Sequence, residues 1–178
     1  MEPDLIYLWT SSMSLSLLRR GLLLACCLIL AACGFHLRGP QPMPFTSIYL
    51  GLSPTSQLLG PIKHQIAISS SGTRIMDKPE DAQVRMIVVR DSRSEEVATI
   101  SGSGVVNQYE LRQRFAFRLI DDKGREIMPL NEIYVYRYLD FTTGQELSKE
   151  QEEIVLYADM QKDIVSQLVR RLAAAKLD

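Results

Sequence analysis

Few side chains in this sequence have the type and spacing that catalysis needs. Its 178 residues include two histidines, His36 and His64, and three cysteines, of which Cys33 is the last. Residues 34–178 therefore contain no thiol, which excludes a disulfide framework, a cysteine nucleophile and a cysteine-ligated metal from that region. The glycine-rich run at residues 101–104 lacks the lysine and the following helix of a phosphate-binding loop. The sequence thus predicts a protein that is not an enzyme and uses no metal or cofactor.

A row of arginines on one predicted strand is a candidate anion site. Arg112, Arg114 and Arg118 share one parity of the strand predicted at residues 105–121. Guanidinium groups in such a row can pair with phosphates or carboxylates. The alternative is a solvated outer face on which Glu110 and neighbouring acids pair with the arginines.

The next predicted strand, at residues 133–141, carries a row of tyrosines: Tyr134, Tyr136 and Tyr138. Tyrosine suits a surface that is dry on one side and wet on the other, so an exposed row favours a protein partner over a cofactor. This interpretation requires the opposite parity to face the core, at Ile133, Val135 and Leu139. The alternative is that the tyrosines themselves lie on the core face.

Composition and charge narrow the class of protein. There are 20 Lys and Arg against 21 Asp and Glu, a formal net charge of -1. This balance argues against nucleic acid as a partner, because phosphate-binding domains normally carry a basic surplus. Hydrophobic residues make up 46% and charged residues 23%, which indicates a globular rather than a disordered chain.

The first 32 residues have the order of a secretory signal peptide. The basic pair Arg19-Arg20 precedes an uncharged apolar run at residues 22–30, and small residues follow. That run is too short to cross a membrane, which takes about 20 residues; the alternative is a short buried helix or a membrane anchor. Glu2 and Asp4 fit the scheme poorly, which favours Met13 as the true start.

The end of this segment, Leu-Ala-Ala-Cys at residues 30–33, resembles a bacterial lipobox. The resemblance implies cleavage before Cys33, a diacylglycerol on its sulfur and an acyl group on its new amino terminus. Pro40, Pro42 and Pro44 then alternate, which favours an extended polyproline II conformation. We therefore expect residues 33–44 to form a lipidated tether of roughly 35 Å that links the domain to a membrane.

Residues 45–178 contain the pattern of one α+β domain. We expect strands at residues 45–52, 73–76, 84–90, 105–121 and 133–141, and residues 91–96 to form either a loop or a strand that leaves the body of the sheet. A helix is expected to start at Ser53 and Pro54, with an apolar stripe of Leu58, Leu59, Ile62 and Ile66. The turn at residues 121–124 should join the last two strands into an antiparallel hairpin.

The last helix is expected to begin at Ser148, with Gln151 completing a capping box. Its expected buried stripe is Ile154, Tyr157, Ala158, Ile164, Val165, Leu168 and Leu172. The order of elements predicts an α+β two-layer sandwich, in which two helices pack on one face of a mostly antiparallel four-stranded sheet.

The run Cys-Gly-Phe-His-Leu-Arg-Gly at residues 33–39 resembles the start of mature proteins of the LptE family of LPS-assembly lipoproteins. A weaker resemblance extends over the rest of the chain, through the strand, the turn and the long final helix. It implies a non-enzymatic outer-membrane lipoprotein that plugs the LPS-exporting barrel LptD, assists its assembly and contacts lipopolysaccharide. The domain would then lie on the periplasmic side and within the barrel lumen.

The resemblance also assigns one basic residue to LPS contact, Lys149, in the segment before the final helix. A second basic position of the family falls near Ser101 and Gly102, which carry no charge here. Either Arg93 or Arg112 replaces it, or the LPS contact is weaker or differently placed. A different class of function stays open: a lipid-anchored periplasmic module that binds a small molecule or a peptide. An apolar pocket between helices and sheet would favour that alternative.

Overall fold

The computed structural model describes residues 42–69 and 72–177, together with Arg20. All the elements below belong to the unit formed by residues 40–178. Cys33, the expected signal peptide apart from Arg20, and most of the expected tether lie outside the described residues. Among the described residues, no helix is both long enough and apolar enough to cross a membrane.

The described chain forms one five-stranded sheet and two α-helices. In order they are β1 Ser47–Tyr49, α1 Leu59–Ser69, β2 Arg74–Met76, a 3-10 turn at Pro79–Asp81, β3 Val84–Ile100, β4 Val106–Asp121, β5 Glu126–Asp140 and α2 Glu146–Ala173. The strand order is β2-β1-β3-β4-β5. Strand β1 is parallel to β2 and β3, while β3, β4 and β5 are antiparallel. The predicted α+β sandwich is confirmed, with five strands rather than four because both three-residue strands join the sheet.

Helix α1 begins later than predicted, at Leu59 instead of beside Pro54. The reason is local: a turn precedes the helix, in which the Ser56 hydroxyl oxygen accepts the N–H of Leu58 and the Ser56 carbonyl accepts the N–H of Leu59. Pro61 consequently falls in the first turn, where a missing N–H costs nothing. The predicted stripe does face the core, with Leu58, Ile62 and Ile66 fully buried.

Helix α2 begins at Glu146, so the predicted capping box at Ser148 is wrong; Gln145 is the N-cap and makes no side-chain capping bond. Ile154 and Ala158 are exposed rather than buried, and Met160 and Val169 join the core instead. The cause is helix length. Helix α2 has 28 residues and α1 has 11, about 42 Å against 16 Å, so α1 covers only part of α2. The other five predicted core positions of α2 are buried: Tyr157, Ile164, Val165, Leu168 and Leu172.

Strands β3 and β5 are longer than the sequence predicted. Residues 91–96 continue β3 beyond the parallel part of the sheet, so the second of the two expected alternatives is correct. Strand β5 begins at Glu126 rather than Ile133, because the turn after β4 is tight. In that turn the Asp121 carboxylate accepts the N–H groups of Lys123 and Arg125 at 2.9 and 2.7 Å.

One face of the sheet packs against both helices and forms the core. Leu111, Phe115, Phe117 and Leu119 of β4 are fully buried there. The core residues of β5 are those predicted: Ile133, Val135 and Leu139. The opposite parity of β4 and β5 therefore lies on the face that no described helix covers.

Candidate binding face

The predicted arginine and tyrosine rows form a single surface. Arg112 of β4 lies directly opposite Tyr136 of β5, and Arg114 lies opposite Tyr134. Both rows point away from the helices, so the required tyrosine parity is confirmed. We call this surface the open face and define it by Glu110, Arg112, Arg114, Arg118, Tyr134, Tyr136 and Tyr138.

The tyrosines of the open face form a continuous ladder. The rings of Tyr134 and Tyr136 stack at 5.8 Å and 26°, and those of Tyr136 and Tyr138 meet edge to face at 5.6 Å and 74°. The guanidinium carbon of Arg114 lies 5.1 Å from the centre of the Tyr134 ring. All three tyrosines are between 42% and 52% exposed. Mutual packing thus holds three large rings in place while leaving nearly half of each to solvent.

Arg112 is already paired within the sheet. Its Nε and Nη2 donate to the two carboxylate oxygens of Glu110 at 2.8 and 3.2 Å, and its Nη1 forms an ion pair with Glu96. The Tyr134 hydroxyl also donates to Glu110, at 3.1 Å. The hydrogen bond from Arg112 lowers the pKa of Glu110 against the opposing effect of burial. The alternative in which acids neutralise the arginine row therefore holds for Arg112.

Arg114 and Arg118 differ from Arg112 in this respect. Among the described residues, neither has a carboxylate within ion-pair distance. Arg118 is exposed, and Arg114 is half-buried against Tyr134. The open face thus retains two guanidinium groups that could pair with an anion.

Lys149 is not part of the open face. Its ammonium group lies 2.8 Å from both carboxylate oxygens of Glu95 and 4.1 Å from the centre of the Tyr109 ring, on the helix side of the sheet. It lies in the first turn of α2 rather than before it, and its N–H donates to the Gln145 carbonyl at 3.0 Å. Burial lowers the pKa of Lys149, but the hydrogen bond and charge of Glu95 outweigh it, so the net shift is upward. Arg93, also on the helix side, lies 4.6 Å from the ring centre of Tyr157.

Sequence reasoning named Glu110 as a partner of the arginine row but did not identify Glu95 as the partner of Lys149 or Glu96 as a partner of Arg112. Glu95 and Lys149 are 54 positions apart, so no local pattern connects them. Glu96 reaches Arg112 only through the register of β3 and β4, which bulges displace at three points. Glu110, two residues before Arg112 on the same face, was the one partner that strand parity could reveal.

Side chains fill the centre of the space between the helices and the sheet. An open cleft of about 500 Å³ lies at its edge, lined by Gln57, Arg93, Glu153, Ile154, Tyr157, Ala158 and Gln161. Ile62 of α1, Phe115 of β4 and Leu168 of α2 are fully buried in a common core. No group of three or more His, Cys, Asp or Glu among the described residues could hold a metal ion. The packed core therefore does not favour the alternative of a binding module with an apolar internal pocket.

Comparison with known proteins identifies the family. The LptE family model, described as Lipopolysaccharide-assembly, matches residues 45–172, which is most of the chain. The chain belongs to the LptE family. The curated LPS-assembly lipoprotein LptE of Yersinia enterocolitica is 28% identical over 153 residues, covering 82% of this chain and 70% of that protein. Its Yersinia pestis counterpart is 29% identical over 148 residues, with the same two coverages.

Solved structures agree with the LptE assignment. A solution NMR structure of an uncharacterized lipoprotein B from Nitrosomonas europaea superposes with a TM-score of 0.68 at 33% identity, covering 79% of this chain and 91% of that one. The rare lipoprotein B of Shewanella oneidensis gives 0.61 at 19% identity, covering 72% and 94%. The second likeness concerns the fold alone. The LptE family places this chain among the lipoproteins of lipopolysaccharide assembly.

Proposed function

We propose that this protein is an outer-membrane lipoprotein, anchored through Cys33, that plugs and assists the LPS-exporting barrel LptD without catalysing a reaction. Membership of the LptE family supports the role in lipopolysaccharide assembly. The resemblance of residues 30–39 to a lipobox and a mature LptE start supports the anchor and the barrel partner.

The observation that carries the barrel contact is the tyrosine ladder on a sheet face that no helix of the described residues covers. Three half-exposed rings in mutual contact are costly to leave in water, and rigid aromatic side chains lose little entropy when a partner covers them. Charged groups flank the ladder on β4, as expected for a contact with the hydrophilic lumen of a barrel. We therefore assign Tyr134, Tyr136 and Tyr138 to the barrel interface.

For lipopolysaccharide, the proposed contacts fall on two faces. Arg114 and Arg118 are the better candidates on the open face, because neither is bound to a carboxylate, while Arg112 would have to leave Glu96 and Glu110. Lys149 is a second proposed contact on the helix side, where an LPS phosphate would have to displace Glu95. One phosphate cannot contact both sites, since the sheet separates them.

The experiment that tests the barrel assignment compares two sets of variants in the full lipidated protein. Replacing Tyr134, Tyr136 and Tyr138 by Ala should lower the thermal midpoint only modestly, because it removes ring contacts and the Tyr134–Glu110 hydrogen bond but no core side chain. The variant should still fold and should fail to copurify the barrel from detergent-extracted envelopes. The control is Ile68→Ala, which removes a side chain of similar exposure (58%) from α1. Full barrel recovery with the tyrosine variant would refute the interface; equal loss with Ile68→Ala would show that the effect is not specific to the open face.

A further inference from the structure

The free edge of β5 is a long regular stretch of unpaired main chain. Strand β5 ends the sheet, so one side of it has no strand partner among the described residues. Pairing with β4 is irregular near Met128 but continuous from Asn131 to Asp140. These ten residues extend about 33 Å. Regular unpaired strands of this length are templates for pairing with another polypeptide, and proteins usually protect them.

Other edges of the sheet are protected. Strand β2, at the opposite end, has only three residues. Strand β3 extends past β1, but its register with β4 shifts between Val88 and Arg90 and again beyond Val97. The loop before α1 covers part of it, since the Ser56 hydroxyl donates to Asp91 at 2.6 Å. Bulges, cover and short length are the devices that prevent strand addition. Beyond residue 130 the described part of β5 is neither bulged nor short, and arginine side chains cover only two of its carbonyls, those of Glu132 and Tyr136.

Two arginines occupy carbonyls on the β5 edge. Arg171 of α2 donates from Nη1 to the Glu132 carbonyl at 2.8 Å. Arg137 donates from Nη1 to the Tyr136 carbonyl at 3.0 Å, and from Nη2 to Asp159 and Asp163 of α2 at 2.8 and 2.5 Å. A groove of about 520 Å³ runs beside it, between the tyrosine ladder and the α2 residues Asp163 and Gln167. The edge is thus flanked by aromatic rings on the open side and by acidic and amide groups on the helix side.

We propose that β5 receives a strand of the partner along residues 131–140, extending the sheet by one strand. This inference rests on the proposed function for the identity of the partner, and it specifies how the partner binds. Side chains alternate across a strand, so an added strand would present apolar or aromatic residues to the tyrosine ladder and basic or amide residues to Asp159, Asp163 and Gln167. Arg137 would release the Tyr136 carbonyl, and Arg171 the Glu132 carbonyl, when the strand pairs.

Amide hydrogen exchange of the free protein and of the copurified barrel complex tests this proposal. In an edge strand every second N–H points outward, so strand addition should slow alternate amides of residues 131–140 by about tenfold or more, while the amides of β2 keep their rates. Barrel recovery without this alternating protection would overturn strand addition and leave the proposed function intact. Failure to recover the barrel with the wild-type protein would instead contradict the proposed function.

Two further exchange measurements test the proposal, one on the isolated protein and one on the Arg137→Ala variant. If the isolated protein shows the same alternating protection and it grows with protein concentration, the occupant is a second copy and the heterologous proposal is wrong. The Arg137→Ala variant uncovers the Tyr136 carbonyl, so the barrel should still copurify and the protected segment should still centre on residues 134–138. Loss of protection in Arg137→Ala, with the barrel still bound through the tyrosines, would also contradict the proposal.

Discussion

Arg112 and Tyr136 lie directly opposite each other on neighbouring strands, on the side of the sheet that faces away from the helices. This register joins two rows of side chains that are about twenty positions apart in the sequence. It makes one surface out of a candidate anion site and a candidate protein interface. Glu96 and Glu110 hold Arg112 in place on this surface.

The ionised Glu110 carboxylate should stabilise the folded protein at neutral pH and lose this effect at acidic pH. Arg112 lowers the pKa of Glu110 from the ordinary value of 4.5 in the folded protein. The contribution is therefore complete at neutral pH and is lost as the pH falls through the lowered folded-state pKa. Glu110→Gln should melt at a lower temperature than wild type at pH 7, and the gap should close towards pH 3. Glu80→Gln, at an exposed site without an ion pair among the described residues, should show no such gap; an unchanged gap at pH 3 would exclude the ionic cause.

Lys149 and Glu95 should act in opposite directions on LPS binding. If a phosphate of LPS binds Lys149, it must displace the Glu95 carboxylate, so Glu95→Gln should strengthen binding several-fold and Lys149→Gln should weaken it. The measurement is LPS binding in vitro at fixed ionic strength, because salt screens such contacts. If neither variant changes binding while Arg114→Gln combined with Arg118→Gln reduces it, LPS contacts the open face and not Lys149.

The Glu95 carboxylate decides which substitution at Lys149 can test LPS binding. Lys149→Glu would place two carboxylates together, which should cost about 1 kcal/mol or more. Glutamine is therefore the better test of binding, since it removes the charge without adding repulsion.

Gly51 should not tolerate alanine. Its φ is +44°, and a Cβ there would lie 2.2 Å from the carbonyl oxygen of Met86 in β3. The left-handed conformation alone costs an L-residue about 1–2 kcal/mol, and the close approach adds to it. Gly51→Ala should therefore lower the thermal midpoint clearly more than Gly104→Ala, where φ is +83° but no atom lies within 4 Å of the added Cβ. Equal shifts would mean that the approach to Met86 is not important.

Lipidation at Cys33 remains a prediction. Mass spectrometry of the protein from envelopes should show a chain that begins at Cys33 with diacylglycerol on sulfur and an acyl group on the amino terminus. Multiple chains make a stable anchor, at about 0.8 kcal/mol per buried CH₂. Cys33→Ser should therefore leave the domain folded and shift it from the membrane to the soluble fraction. An unmodified Cys33 in the wild-type protein would contradict the anchor.

The fold could be predicted from the sequence where one physical signal dominated. The alternation of apolar and polar residues around Phe115 and Ile133 predicted which side of β4 and β5 is buried. It therefore also predicted that Tyr136, of the opposite parity, is exposed. The starts of the helices were harder to predict. The Ser53 hydroxyl oxygen accepts the N–H of Thr55 at 3.3 Å in a turn ahead of α1, and Ser148 lies inside α2. The buried stripe of α2 was overestimated at Ile154 because its burial depends on the length of α1, a separate element. Long-range pairs such as Glu95 with Lys149 require the register of the sheet, which bulges alter and no local pattern reveals.

The measurement that tests the central claim most directly is photo-crosslinking in living cells from position 136. A benzophenone amino acid replaces Tyr136 in the full lipidated protein, and a second strain carries it at Ile68 on α1, which is exposed to a similar degree. The account predicts an ultraviolet-dependent adduct from position 136 with the mass of this protein plus the LPS-exporting barrel, and a stronger yield there than from position 68. An absence of barrel adduct from position 136, with the protein correctly anchored and folded, would contradict it.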